Sequence, residues 1–195
     1  MPEPAHRGEW YWTQYIDDQG RWRRASRQPP GEDLAAMRRG LGRQPGSVPQ
    51  MWRLYQAIVA DEHSPRLAAE HAALCLFGVH QQSQRTPMHK PGTGLGKALR
   101  DLSRRDGVSE EAVARRFNAA ATATSFDELV AHLRGLVTLL RTHAIPLDYT
   151  TLLTDLLRWS DPDGQAQVRR RWGMQYHAWQ SPTAQSSTSG DAAIA

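Results

Sequence analysis

From Ser125 to Pro146 the chain places its leucines at a spacing that suits an α-helix. Leu129, Leu133, Leu136, Val137 and Leu140 fall on one stripe, while Arg134, Thr138 and Arg141 lie on the far side. Ser125-Phe126-Asp127-Glu128 reads as a capping box opening this helix, and Ile145-Pro146 stops it. One face is made for a core, and the other carries fixed positive charge.

The same pattern runs through most of the chain. Leu34, Met37 and Leu41 form a short amphipathic segment ending at Gly42. Pro49 starts the next, with Met51, Trp52, Leu54, Tyr55 and Ile58 apolar. Ser64-Pro65 is a helix cap followed by proline at the first helical position, and Leu67 to Val79 is a long apolar helix central to the core. Gln81 to Gly94 reads as a polar loop. After it comes Gly92-Thr93-Gly94-Leu95-Gly96-Lys97, a glycine-rich turn into a helix with Leu95, Ala98, Leu99 and Leu102 on one stripe and Lys97, Arg100 and Arg104 opposite. Ser109 caps a further helix with Glu110 and Glu111 in its first turn. Asp148 opens another through Leu152 to Trp159, and Asp161-Pro162 caps a last one running to about Trp179.

β-branched residues are sparse and alternation is absent, so the expected fold is all-α: a two-lobed helical bundle of about seven to nine helices. Four segments follow from the composition. Residues 1–31 form an aromatic and basic arm, 32–92 an N-terminal helical lobe, 93–180 a C-terminal lobe, and 181–195 a Ser/Thr/Ala/Gln-rich tail expected to be disordered. In the arm, Trp10, Tyr11, Trp12, Tyr15 and Trp22 crowd against Arg21, Arg23, Arg24 and Arg27. Two readings stand: a segment packed on the body, or a stacking and phosphate-binding arm.

At 195 residues the chain can bury a substantial core. Its net charge of +4 is only mildly basic, but nearly all of its 24 Lys and Arg are arginine. Arginine binds phosphate in bidentate fashion and stacks on bases, which leans towards a nucleic-acid partner. The single Cys75 lies in an apolar run and reads as a buried structural thiol, with a cytoplasmic home as the default. No apolar run reaches transmembrane length, and no signal-peptide h-region is evident at the start.

Catalytic constellations do not assemble. His63 and His71 are eight residues apart, and His80 and His89 flank a loop without cysteines or paired carboxylates at metal spacing, so neither metal nor cofactor is expected. Glu70-His71 and Asp61-Glu62-His63 fit a solvated helix face better than an acid/base pair. The glycine-rich turn lacks the Walker order, yet N–H groups at a helix start beside Lys97 favour a phosphate. The candidate nucleic-acid contacts are Arg53, Lys97, Arg100, Arg104, Arg116, Arg134 and Arg141, with Arg115 and the run Arg169-Arg170-Arg171 as extensions. No acid at i±4 is expected to neutralise the Lys97/Arg100/Arg104 and Arg134/Arg141 faces, so sequence-tolerant binding of phosphates follows.

Several stretches carry a family resemblance: Pro49-x-Met51-Trp52-Arg53-Leu54-Tyr55, Thr93 to Leu99, Arg115-Arg116-Phe117-Asn118, Leu129 to Arg141 followed by Ile145-Pro146-Leu147-Asp148-Tyr149, and Leu152-Leu153-x-x-Leu156-Leu157-Arg158-Trp159. Together they resemble CasB, the small subunit of the type I-E CRISPR surveillance complex Cascade, over roughly residues 32 to 178. The resemblance implies an all-α, non-catalytic protein present as two copies beside the backbone and large subunits. It implies contact with guide RNA and target DNA, and stabilisation of the displaced strand of the R-loop. Arg53, Lys97, Arg100, Arg116, Arg134 and Arg141 sit inside the matching stretches. The rival reading is a free-standing helical DNA-binding protein or regulator, which would need base-reading polar side chains on a recognition helix.

Overall fold

A computed structural model of the chain describes residues 10–24, 28–56 and 64–178. Within them lie seven α-helices: α1 (Gly31–Gly40), α2 (Pro65–His80), α3 (Leu95–Ser103), α4 (Glu110–Ala121), α5 (Phe126–Thr142), α6 (Tyr149–Arg158) and α7 (Pro162–His177). Two 3-10 helices, Tyr11–Gln14 and Pro49–Leu54, complete the set among the described residues. Strand-like pairing there is confined to two isolated bridges, Ile16 with Trp22 and His89 with Leu147. The protein is all-α.

Local chemistry sets most helix starts. Ser109 Oγ accepts from the Ala112 N–H at 3.1 Å, Asp148 Oδ1 from Thr150 and Thr151 at 3.0 Å, and Asp161 Oδ2 from Gly164 at 2.8 Å. Ser125 Oγ accepts from Glu128 N–H at 3.2 Å, and Glu128 reaches back to the Thr124 N–H at 2.7 Å. The segment after Pro49 departs from the expected amphipathic helix. It is 3-10 and ends at Leu54, because Tyr55 turns extended and sets its hydroxyl 2.6 Å from His71 Nδ1 on α2. Met51, Leu54 and Tyr55 are buried there, but Trp52 faces solvent. α7 stops at His177, where Ala178 adopts a left-handed φ of 56°. Ile58, His63, Trp179 and the expected tail lie outside the described residues.

α2 is the central helix, packed against α1, α5 and α6, and the Pro49–Leu54 segment packs on α1. α3 packs mainly on α7 and also meets α4 and α5. One apolar cluster runs through all of them. Leu95, Leu99 and Leu102 of α3 are almost wholly buried, each contributing about 1.5–3 kcal/mol by leaving water.

The N-terminal aromatic segment is part of this core. Trp12 is fully buried, with Phe77, Tyr149 and His89 around its ring at 6.0, 5.6 and 6.1 Å between centroids. Its indole N–H donates to Thr150 Oγ1 at 2.9 Å, and Tyr11 donates its hydroxyl to the buried Asp33 at 2.8 Å. Trp22 donates to the Arg85 carbonyl at 2.9 Å.

The loop between α2 and α3 is bonded throughout. Gln81 accepts from Met88 N–H at 2.9 Å, Leu147 N–H donates to Met88 at 3.0 Å, and Asp148 N–H donates to Thr93 at 2.7 Å. These bonds set the start of α3 beside the start of α6. Gly94 and Gly96 then let the α3 backbone touch α7: any Cβ on Gly96 would overlap the Trp172 carbonyl and Gln175. The glycine-rich turn is thus a packing device. Gly94, Leu95 and Gly96 are buried, a different use from the phosphate cradle expected of it.

Candidate nucleic-acid interface

The seven candidate cations divide by what their side chains already hold. Arg53 bridges exposed Glu32 at 3.0 Å and the buried Asp33, so it fastens the Pro49–Leu54 segment to α1. Arg100 donates from Nη1 to the Gln175 carbonyl at 2.9 Å, and Arg141 donates to the Val79 carbonyl at 3.3 Å and to Gln82 Oε1 at 2.9 Å. These three arginines join elements together. Lys97 meets Asp101 at 3.1 Å one turn along α3. The expectation of an unneutralised α3 face therefore fails at that position, because lysine's long stem bends back to the i+4 carboxylate. Arg104, Arg116 and Arg134 are exposed, and their guanidinium groups have no partner among the described residues.

Four of the seven candidates line three separate grooves, and Arg53, Arg104 and Arg141 line none of these. Lys97 and Arg100 line a groove of about 670 Å³ between α3 and α7, together with Arg170, Arg171, Gln167 and Gln175. Arg115 and Arg116 line a second, of about 300 Å³, against His132 and Gly135 of α5. Arg134 lines a third, of about 570 Å³, together with Arg43 of the Leu41–Pro45 loop and Asp127 of α5.

The arginine run on α7 splits three ways. Arg169 donates to the Ala123 carbonyl at 3.1 Å and lies 5.1 Å over the Trp159 ring. Arg171 pairs with the buried Asp155, whose other oxygen accepts from Trp172 Nε1 at 2.6 Å. Arg170 alone of the three is exposed without a partner among the described residues. Three consecutive arginines look equivalent in sequence. Only the helical phase of α7, set by Val168, Trp172 and Tyr176 on its buried side, separates them.

Burial shifts the interior histidines and the cysteine towards their neutral forms. Burial drives His80 down to about 3 and His89 to about 4. His71, also lowered by burial, lies 2.9 Å from the Gly40 carbonyl. Burial pushes the Cys75 thiol up to about 12, which removes any reactive thiolate at neutral pH.

Comparison with known proteins bears on this arrangement. The family model described as CRISPR-associated protein Cse2 matches residues 33–177. A CRISPR-associated protein Cse2 from Thermus thermophilus is 26% identical over 168 residues, covering 85% of this chain and 86% of the relative. The crystal structure of CasB from Thermobifida fusca superposes with a TM-score of 0.63 at 34% identity, over 75% of this chain and 84% of that one. A chain of a CRISPR RNA-guided surveillance complex superposes with a TM-score of 0.57 at 27% identity, over 75% and 82%.

Proposed function

Because the chain belongs to the CRISPR-associated Cse2 family, we propose that it is a non-catalytic subunit of an RNA-guided surveillance complex that holds nucleic-acid backbone. Its partners are the guide RNA, the target DNA, the backbone and large subunits, and a second copy of itself. The displaced strand of the R-loop is the polyanion its basic grooves suit best. A strand released from pairing needs a positive track that follows phosphates and ignores base identity.

One observation carries the nucleic-acid half of this reading. Arg104, Arg116, Arg134 and Arg170 are exposed on four different helices or their ends, with guanidinium groups that no described residue engages. An exposed arginine without an acid retains its full field and its forked donors for phosphate. Nothing in such contacts reads sequence, which fits a subunit whose target is chosen by a guide.

The test is target binding by the reconstituted complex as salt is varied. Neutralising Arg104, Arg116, Arg134 and Arg170 to glutamine weakens binding and lowers the log–log salt slope by up to about 3.5, at about 0.7–0.9 per lost phosphate contact. An unchanged slope in an assembled complex overturns the nucleic-acid role and leaves a protein scaffold. Purification of tagged protein without a guide RNA of uniform length and companion subunits would favour a free-standing DNA-binding regulator.

A further inference from the structure

Trp52 stands out from every other large apolar side chain among the described residues: 53% of its surface is exposed. Its neighbours in the Pro49–Leu54 helix, Met51 and Leu54, are buried. The ring is not loose. Its indole N–H donates to the Gly46 carbonyl at 2.6 Å, which uses its one polar group and fixes its plane. A locked, solvent-facing indole with no polar group left to satisfy presents a bare π-face.

The chain on either side of it carries charge of one sign. From Leu34 to Gln56 the chain carries four arginines, Arg38, Arg39, Arg43 and Arg53, and no carboxylate. Arg53 is spent on Glu32 and Asp33, but Arg39 and Arg43 are exposed without a partner among the described residues. The Leu41–Pro45 stretch, directly before Gly46, is one wall of the 570 Å³ groove that Arg134 faces from α5. Leu41, Ala72, Phe126 and Val130 make much of its lining apolar, and Asp127 is its one carboxylate against the two arginines.

We propose that Trp52 is a base-stacking platform for single-stranded nucleic acid, with Arg43 and Arg134 gripping the phosphates on either side of the adjoining groove. This rests on the reading that the chain binds nucleic acid and adds the residue that holds a base. Stacking on an indole tolerates any base, because every base has a π-face. A protein partner would bury the same ring, but a stretch with four arginines and no carboxylate, with Glu32 and Asp33 already held by Arg53, suits a polyanion with flat rings best.

The experiment uses the full-length protein and a single-stranded oligothymidylate carrying 5-iodouracil, which photocrosslinks to aromatic rings stacked on it. The crosslink is expected on Trp52. Trp52→Ala is expected to weaken oligonucleotide binding about five- to hundredfold, the range for losing one stacked base, without altering the salt slope. Trp52→Phe restores most of the affinity. Arg43→Gln with Arg134→Gln lowers the salt slope instead. Unchanged affinity in Trp52→Ala, with crosslinks elsewhere, overturns the platform but leaves nucleic-acid binding standing. Lost assembly with companion subunits at unchanged oligonucleotide affinity overturns it in favour of protein docking. A wild-type chain that binds no single strand, alone or in the complex, overturns both readings.

Discussion

The guanidinium of Arg100 donates to the main-chain carbonyl of Gln175 at 2.9 Å, binding α3 to the last turn of α7. Arg170 lines the same groove and binds nothing described. Two arginines of one groove therefore have separable jobs. Arg100→Gln should cost about 1.5 kcal/mol, the low end for a hydrogen bond from a charged donor, and lower the melting temperature by about 3–6 °C. Arg170→Gln should leave melting unchanged within about 0.5 kcal/mol while weakening nucleic-acid binding. Thermal denaturation of both variants checks this, and equal melting temperatures would remove the structural role given to Arg100.

Glycines on two helices make opposite predictions. At Gly96 a methyl group would collide with the Trp172 carbonyl, a main-chain atom that cannot swing aside. Gly96→Ala should therefore destabilise by at least about 1–3 kcal/mol, as overpacking does. At Gly135, within α5, an added Cβ meets nothing within 4 Å. Gly135→Ala should stabilise by about 0.5–1 kcal/mol through helix propensity alone. Chemical denaturation midpoints moving in opposite directions are the expected result. A neutral Gly96→Ala would mean that α3 does not pack on α7 as described.

The local parts of this fold were readable because their causes are local. The leucine stripe of α5 and the caps at Ser109, Ser125, Asp148 and Asp161 each lie within a few residues of what they control. The family resemblance drawn over residues 32 to 178 coincides closely with the matched span of 33–177. What sequence could not separate was cations that bond from cations that are free. Arg100 and Arg141 are held by main-chain carbonyls, of Gln175 and Val79, and a carbonyl has no sequence signature. Trp12 is similar: its partner Thr150 lies 138 residues away, so nothing nearby announced that its ring is core. Asp101, by contrast, is four residues from Lys97 and was there to be read.

Two core histidines should make the protein sensitive to acid. His89 Nδ1 accepts from the Tyr149 N–H at 3.1 Å, which requires that nitrogen to be unprotonated. His80 Nδ1 lies 3.0 Å from the Tyr149 hydroxyl. Burial lowers both, to about 4 and about 3, with Arg141 lowering His80 further and Asp148 partly opposing the shift at His89. The unfolded chain thus binds more protons than the folded one below the ordinary histidine value of about 6.5. Their contribution is intact above that value and is lost as pH falls towards 4, by up to about 1.4 kcal/mol per unit for each histidine. Urea midpoints should drop between pH 7 and pH 5, and His89→Asn should shrink the drop. A drop of the same size in that variant would assign the acid sensitivity elsewhere.

The N-terminal aromatic segment gives the sharpest stability test, because its two sequence readings predict different outcomes. A solvent-facing arm contributes little to folding, and its aromatics can be truncated at small cost. Trp12 instead fills the space between Phe77 of α2 and Tyr149 of α6, and its N–H reaches Thr150. Trp12→Ala should therefore cost about 3–5 kcal/mol, the range for deleting a buried large aromatic. Trp12→Phe should recover much of that, losing the Thr150 bond and part of the ring. Denaturant unfolding followed by circular dichroism measures both, since the helical signal reports the whole bundle rather than the mutated ring. A loss below about 0.5 kcal/mol in Trp12→Ala, the size of an ordinary surface substitution, would detach the segment from the core and return it to the role of an arm.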